Sequence, residues 1–212
     1  MRKIHSLVIV MLLITCCAEA QISVGLKAGL NVANLSIKDS HGQKSLMGLA
    51  AGGLVNYALN NEFSIQPELL FSQEGAQWKG EDYEQKNRLN YFNIPILVQY
   101  RHSSGFFAHT GPQIGMLLSA KSKYKDQLPY MGDVEDDETG GVISGSADIK
   151  RLMNKAVISW ALGAGYLHGS GFGVNVRYNR GLSNSLSKNN GGKGHSSVFN
   201  IGVFYVFASL KK

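Results

Sequence analysis

The feature that most constrains this chain is an alternation of bulky apolar residues with glycine and small polar residues. In residues 22–32, Ile22, Val24 and Leu26 fall on one face, while Gly25 and Lys27 fall on the other. A period of two residues is typical of a β-strand. The pattern recurs in residues 22–32, 49–59, 62–77, 92–100, 106–118, 156–166, 172–178 and 199–207. No segment after residue 20 shows the period of an ordinary amphipathic helix, so the sequence predicts an all-β fold of eight strands.

The links between these segments select among β architectures. Three are tight turns, at Asn60-Asn61, Arg101–Gly105 and His168–Gly171, and four are long, at residues 36–47, 78–88, 119–154 and 183–197. Long and short links alternate along the whole chain. A soluble sandwich or lipocalin gives no reason for this order, whereas outer-membrane barrels have short periplasmic turns and long outer loops. An even number of strands then places both termini on the periplasmic side.

The composition of the two faces favours the same architecture. A soluble barrel would turn its bulky apolar face inward and present Lys and Glu to water. Here the second face is rich in Gly, Ser, Asn and Gln, which suit the narrow interior of a small barrel. In lipid the sheet must also close, because an open edge would leave backbone groups unpaired. We therefore predict an eight-stranded antiparallel transmembrane β-barrel of the outer-membrane type, formed by residues 21–210 as a single domain.

Residues 1–20 have the pattern of a signal peptide. A basic start precedes the apolar run Leu7–Ile14, and Ala18-Glu19-Ala20 supplies small residues for cleavage. The run is shorter than the roughly 20 residues that a transmembrane helix needs. Lipid attachment at Cys16 is an alternative, although the preceding Thr fits it poorly. Cleavage after Ala20 removes both cysteines of the chain, Cys16 and Cys17, and therefore excludes disulfides and thiolate metal sites.

The net charge of +6 bears on the expected partners. The Lys and Arg residues are scattered, and neither a basic helix nor an aromatic-basic motif gathers them, so we expect no nucleic acid partner. Anionic headgroups of outer-membrane lipid fit an exported basic chain better. Lys121, Lys123 and Lys125 in the longest link are candidates to meet lipopolysaccharide phosphates. Nothing in the sequence calls for a cofactor.

The final segment carries a second signal. Asn200, Gly202, Tyr205 and Phe207 match a polar-x-Gly-x-x-aromatic-x-aromatic pattern. This pattern resembles the signal by which the barrel-assembly machinery recognises its substrates. We therefore expect that machinery to be a partner during biogenesis.

Several short motifs resemble the PorT-type outer-membrane β-barrel family of Bacteroidota. They are Val24-Gly25-Leu26-Lys27-Ala28-Gly29-Leu30-Asn31, Ile65-Gln66-Pro67-Glu68-Leu69-Leu70-Phe71-Ser72, Asn93-Ile94-Pro95-Ile96-Leu97, Gly111-Pro112-Gln113-Ile114-Gly115, Arg177-Tyr178-Asn179-Arg180-Gly181-Leu182 and the last strand. The resemblance covers essentially all of the chain after residue 20. It implies a small barrel with a secretion-accessory role, because the family takes its name from a member needed by the gliding-associated (type IX) secretion system. Most chains of this type carry no assigned activity.

Five ionisable residues fall on the predicted inward faces: Lys27, Glu68, Glu74, His109 and Arg177. Lone charges are costly in a low-dielectric lumen, so we expect these groups to pair. A structural polar plug is the first interpretation, and a narrow gated path or a lumenal ligand site is the alternative. Eight strands leave an interior just filled by side chains, so we expect no resting open pore.

A carboxylate run in the longest link is the candidate metal site. It comprises Asp133, Glu135, Asp136, Asp137 and Glu138. Oxygen ligands of this kind bind Ca²⁺ or Mg²⁺, but the spacing and turn glycine of an EF-hand are absent, and such a run is usually a solvated loop.

Two further function classes stand beside the structural, adhesion or secretion-accessory barrel. A small-solute transport barrel is the alternative. A lipid-modifying enzyme would need a nucleophile, a base and an orienting carboxylate. The pattern enforces no such arrangement, since His109 lies mid-wall, His168 lies in a turn, and His41 and His195 lie in outer loops. We therefore expect no enzymatic activity.

Overall fold

The computed structural model describes residues 22–37, 43–80, 83–127, 142–187 and 194–207. These residues form nine strands: β1 (Ile22–Ile37), β2 (Gln43–Ala58), β3 (Phe63–Lys79), β4 (Tyr83–Arg101), β5 (Phe106–Gln127), β6 (Val142–Asp148), β7 (Ala156–Leu167), β8 (Phe172–Gly181) and β9 (Gly194–Val206). A short 3₁₀ helix spans Lys150–Leu152. In this part of the chain no helix is long and apolar enough to cross a membrane.

Eight of the strands close into a ring. The sheet order is β4-β3-β2-β1-β9-β8-β7-β5, and β4 also pairs with β5. Every pairing is antiparallel, and the first and last strands join from Gly25↔Val206 to Ile37↔Gly194. β6 pairs with the far end of β5, from Lys121 to Gln127, beyond the part of β5 that contacts β7. The predicted eight-stranded antiparallel barrel is therefore confirmed, with one short strand added outside the ring.

The two faces of the wall have opposite character. On β1 the apolar residues Leu26 and Leu30 are 59% and 49% exposed, whereas Lys27 and Asn31 between them are 7% and 2% exposed. The same reversal holds around the ring, because the exposed large side chains are mostly Leu, Ile, Val and aromatics. Such a surface is suited to lipid rather than water. The polar face is inside, as the alternation predicts.

The three predicted tight turns are present, and two share the sequence pattern His-x-Ser-Gly. His102-Ser103-Ser104-Gly105 precedes Phe106, and His168-Gly169-Ser170-Gly171 precedes Phe172. In each turn the glycine N–H donates to the histidine carbonyl at 3.0 Å. The glycines have φ values of +96° and +89°, a conformation that favours glycine over residues with a Cβ. This explains why both turns end in glycine directly before a strand.

The predicted long links are partly strand. β4 begins at Tyr83, before the predicted start at Phe92, and β5 continues past Leu118 to Gln127. β6 also lies inside the stretch that was predicted to be one loop. These extensions lack the apolar alternation, because side chains beyond the apolar band do not face lipid. Their backbones still pair, as at Lys125↔Glu84, so Lys121, Lys123 and Lys125 lie on a strand rather than in a loop.

Candidate functional site

The lumen is crossed at mid-height by a group of four side chains that we call the ion cluster. It consists of Lys27 on β1, Glu68 on β3, His109 on β5 and Arg177 on β8. They are 7%, 1%, 3% and 2% exposed, respectively. In the ring order these are every second strand. The inward period of two on each strand places one such side chain from each alternate strand into the same layer.

Arg177 and Glu68 make the strongest contact in the ion cluster. The Arg177 Nη1 and Nη2 atoms donate to the two Glu68 carboxylate oxygens at 2.8 Å and 2.7 Å. Lys27 Nζ lies 3.7 Å from Glu68 Oε2. Glu68 thus faces two cations, and paired geometry of this kind is the arrangement that offsets burial of charge.

His109 completes the ion cluster as a neutral acceptor. Arg177 Nε donates to His109 Nε2 at 3.0 Å, so the proton of the neutral ring is on Nδ1. Among the residues that the structure describes, that Nδ1 has no hydrogen-bond partner. The imidazole also stacks on Phe107, with ring centroids 5.6 Å apart.

A glycine makes the contact between Arg177 and His109 possible. Gly163 on β7 lies between them, in register with both. A Cβ at this position would lie 2.5 Å from His109 Nε2 and 2.6 Å from the Val176 carbonyl oxygen. The absence of a side chain on the intervening strand therefore lets the two neighbours meet.

Hydrogen bonds connect the ion cluster to the short-turn end of the barrel. Gln66 Nε2 donates to Glu68 Oε1 at 2.7 Å. Asn56 Nδ2 donates to Gln66 Oε1 at 3.1 Å and to Ser64 Oγ at 2.9 Å. Gln66 and Asn56 also line an open cavity of about 430 Å³ at this end, which we call the vestibule.

Glu74 lies apart from the other four predicted ionisable residues. Its Oε1 accepts from Asn93 Nδ2 at 2.9 Å and from Ser72 Oγ at 3.0 Å, and its Oε2 accepts from Ser196 Oγ at 3.3 Å. In the described residues it has no cationic partner. The expectation that all five groups pair is therefore wrong for Glu74, because three neutral donors satisfy its carboxyl group instead.

The sequence suggested a lumen that is polar along its whole length, but the lumen also contains apolar layers. Leu54, Phe107 and Phe204 form a buried apolar layer towards the short turns. A larger apolar layer lies towards the long links and contains Leu35, Ala76, Leu89, Tyr91, Leu117, Ala120 and Met153. Leu54, Phe107, Leu117 and Phe204 lie at inward positions of the predicted alternating segments, so the alternation was a signal for them. Leu89 and Ala120 lie on the strand extensions, where the alternation is absent, and Met153 lies outside the strands.

The cavities that the described residues enclose between these layers are small. Two cavities of about 20 Å³ each lie beside the ion cluster and beside Glu74. A volume of this size holds about one water molecule. Asn93, Gln113 and Asn179 line both. Among the described residues, both amide atoms of the buried Asn175 lack a hydrogen-bond partner, which suits a lumen that contains isolated waters.

The remaining predicted site residues have separate positions. Asn200 points inward and donates to Asn31 Oδ1 at 2.8 Å, while Gly202 is also buried. Tyr205 and Phe207 are outward, with ring centroids 5.4 Å apart. Their role as an assembly signal stays a prediction.

Residues 1–20 and the run Asp133, Glu135, Asp136, Asp137 and Glu138 lie outside the described residues, and within those residues no group of three His, Cys, Asp or Glu is placed to hold a metal ion.

The comparisons with known proteins give the class of the chain. The model of the outer membrane protein beta-barrel domain family matches residues 18–187, and the chain belongs to this family. It is accordingly an outer-membrane β-barrel protein. No curated protein matches it.

Several solved barrels are similar to this chain in fold. Ail of Yersinia pestis, solved with the heparin analogue sucrose octasulfate, has a TM-score of 0.47 and 11% identity over 88% of this chain and 99% of Ail. Neisserial surface protein A has a TM-score of 0.45 and 12% identity over 86% of this chain and 96% of its own. CarO of Acinetobacter baumannii has a TM-score of 0.46 and 12% identity over 84% and 96%.

Proposed function

We propose that this chain is a non-conducting outer-membrane barrel with a structural or secretion-accessory role of the PorT type. In this proposal both termini are periplasmic, the short turns face the periplasm and the long links face the cell exterior. Its partners are outer-membrane lipid and lipopolysaccharide, the barrel-assembly machinery during biogenesis, and a component of a secretion apparatus or a surface protein.

The ion cluster is the observation that carries the proposal. Arg177 and Glu68 join β8 to β3 across the lumen, and Glu68 is 1% exposed. An ion that passed this layer would have to part the pair or lose its own hydration, both of which cost several kcal/mol. Apolar layers on either side add barriers that contain few groups able to replace water.

The part of the chain outside the ring supports a role in contacts with another protein. β4 and β5 extend together to the pair Tyr83↔Asp126, and β6 continues this sheet. Tyr83, Tyr124 and Ile143 are 40%, 40% and 51% exposed on it. A projecting sheet with exposed aromatic and apolar side chains is suited to protein contact, because such side chains are enriched at interfaces.

Planar-bilayer recording tests the closed lumen. We expect the purified protein to give no steady channel events. Reproducible single channels would overturn the proposal and favour a small-solute transport barrel. Crosslinking in native membranes followed by mass spectrometry tests the partner. A reproducible crosslink from the projecting sheet to a component of a secretion system supports the PorT-type role. Crosslinks to abundant outer-membrane proteins, with none to a secretion component, would contradict it.

Single cysteines test the orientation. Ser144 on β6 and Ser103 in a short turn are both exposed and lie at opposite ends of the barrel. We expect a membrane-impermeant maleimide to label Ser144→Cys on intact cells and to label Ser103→Cys only after the outer membrane is opened. The reverse order would place the short turns outside.

A further inference from the structure

A shallow apolar groove interrupts the outer wall near the short turns. On β5 and β7 the paired residues Ala108 and Ala164 are both outward and exposed. Most other outward positions of the wall carry larger side chains. The resulting groove has a volume of about 700 Å³. The paired alanines form its floor.

The rim of the groove is built in register. Tyr100 on β4 pairs with Ala108, while Val176 on β8 pairs with Ala164. Towards the turns, Phe106 and Tyr166 pair with each other, with ring centroids 5.0 Å apart. Aromatic residues at this height form the interfacial girdle typical of outer-membrane barrels. The groove therefore begins at the membrane–water interface and runs into the apolar band.

The groove adjoins the vestibule. His102 and Tyr166 line both spaces. One continuous depression thus leads from the lipid-facing wall over the rim of the barrel to its polar mouth. A ligand that fills both parts must be apolar at one end and polar at the other.

The vestibule offers unpaired donors to the polar end. Within the part of the chain that the structure describes, the Arg101 guanidinium forms no side-chain hydrogen bond and no ion pair. Gln99 is 4% exposed and lines the same space, also without a side-chain partner there. Both side chains line the open vestibule, so their donors are free to bind a polar group that enters it.

Two histidines add to this donor set. Ser104 Oγ lies 2.8 Å from His102 Nδ1, and the Ser104 backbone N–H donates to the same Nδ1 at 3.3 Å. Ser170 makes the same two contacts with His168 Nδ1. A ring that accepts a backbone N–H at Nδ1 carries its neutral-form proton at Nε2. Both Nε2–H groups are then available to an oxyanion. With Arg101 they form a positively biased set at the mouth.

We propose that this depression binds one anionic phospholipid, with an acyl chain on Ala108 and Ala164 and the phosphate at Arg101, His102 and His168. The acyl chain alone gains little binding free energy in the groove relative to bulk lipid, because lipid tails are as apolar as the wall. All phospholipids carry a phosphate, so selectivity must come from the net negative charge of the headgroup beside Arg101, and the groove supplies the fit to the acyl chain. The leaflet, periplasmic or outer, rests on the orientation in the proposed function, but the binding itself does not.

Native mass spectrometry of the purified barrel tests this site, with dimyristoyl phosphatidylglycerol and phosphatidylcholine as probes. Ala108→Leu/Ala164→Leu fills the groove on the lipid-facing side. Ala28→Leu/Ala51→Leu is a matched control, because these two alanines are also outward and paired with each other, on β1 and β2, and line neither space. We expect the wild type and the control to retain one phosphatidylglycerol and the groove variant to lose it. Retained heat-modifiability confirms that each variant is folded.

A second pair of variants isolates the headgroup. Arg101→Gln should lower the preference for phosphatidylglycerol about fivefold, since one basic side chain near anionic lipid is worth about 1 kcal/mol. His102→Gln should lower it further in the double variant. Equal retention by all variants would overturn the proposal, as would equal retention of both lipids by the wild type. A dimer that the groove variant disrupts, without bound lipid, would overturn it in favour of a second copy.

These outcomes are separate from those of the conductance test. A barrel that conducts can still hold the lipid, and a silent barrel can lack it. A result that contradicts the non-conducting barrel therefore does not contradict the lipid site, and the reverse also holds.

Discussion

Arg177 and Glu68 join opposite sides of the barrel through two parallel hydrogen bonds of 2.8 Å and 2.7 Å. The residues are 109 positions apart in sequence and both are almost fully buried. Lys27 and His109 contact the pair from two further strands. Four strands are thereby held at one height by side chains as well as by the backbone ladder.

Removal of the Glu68 charge should strongly destabilise the barrel. Glu68→Gln leaves Arg177 and Lys27 buried without a carboxylate, and breaking a buried pair in this way costs about 3–5 kcal/mol. We expect a large drop in the urea midpoint of unfolding in lipid vesicles.

Glu84→Gln is the control for this variant. It removes a carboxylate that pairs with Lys86 at 2.8 Å on the exposed extension of β4. Its urea midpoint should stay at the wild-type value, because exposed pairs contribute little. An equal change in the urea midpoint for the two variants would show that the ion cluster contributes no more to stability than an exposed ion pair.

Glu74→Gln should be tolerated far better than Glu68→Gln. Its carboxyl partners are the neutral donors of Ser72, Asn93 and Ser196. An amide of the same shape keeps an acceptor for two of them and can donate to the third, so we expect a loss within about 1 kcal/mol. A loss as large as that of Glu68→Gln in the same urea experiment would reveal a cationic partner of Glu74.

Gly163→Ala should destabilise the barrel by about 1–3 kcal/mol, the usual range for an overpacked interior. The new methyl group would lie 2.5 Å from His109 Nε2 and 2.6 Å from a backbone carbonyl oxygen. Thermal loss of the heat-modifiable band measures the effect. Gly169→Ala is its control, because nothing lies within 4 Å of a Cβ there. If both glycines tolerate alanine, the close contact of Arg177 with His109 does not depend on Gly163.

The terminal aromatics should matter for assembly more than for stability. Tyr205→Ala and Phe207→Ala remove the outward rings of the predicted signal and should slow the appearance of the folded, heat-modifiable form in cells. Phe199→Ala removes a ring on the same face of β9 as Tyr205, 42% exposed, and should not slow it. A similar delay in all three would mean that any lipid-facing aromatic on β9 serves equally.

The alternation of residues predicted much of the fold. It specifies which side chains face inward, so Lys27, Glu68, His109 and Arg177 could be assigned to the lumen before their contacts were known. The three tight turns could be placed for the same reason, since each interrupts the pattern at residues such as Gly105 and Gly171. Even the apolar layer of Leu54, Phe107 and Phe204 lies at the positions that this pattern assigns to the interior.

Other features depend on geometry that the pattern does not contain. The heights of inward residues on strands that are far apart follow from register and tilt, so the separation of Glu74 from the ion cluster could not be read from spacing. The extensions Tyr83–Asn90 and Ser119–Gln127 lack a lipid-facing side and therefore lose the alternation, although their backbones pair. The groove at Ala108 and Ala164 is visible only when the register of β5 and β7 is known.

The alternate-strand origin of the ion cluster has a consequence for the order of assembly. A partly formed sheet that lacks β3 carries Lys27 and Arg177 without a carboxylate. A sheet that lacks β8 leaves Glu68 with Lys27 alone, at 3.7 Å and without the two hydrogen bonds from Arg177. A local hairpin cannot form the two Arg177–Glu68 hydrogen bonds, because these residues are 109 positions apart in sequence. Half-built barrels are thus penalised in the bilayer, and insertion becomes coupled to ring closure. Only the closed ring of strands brings all four side chains of the ion cluster together.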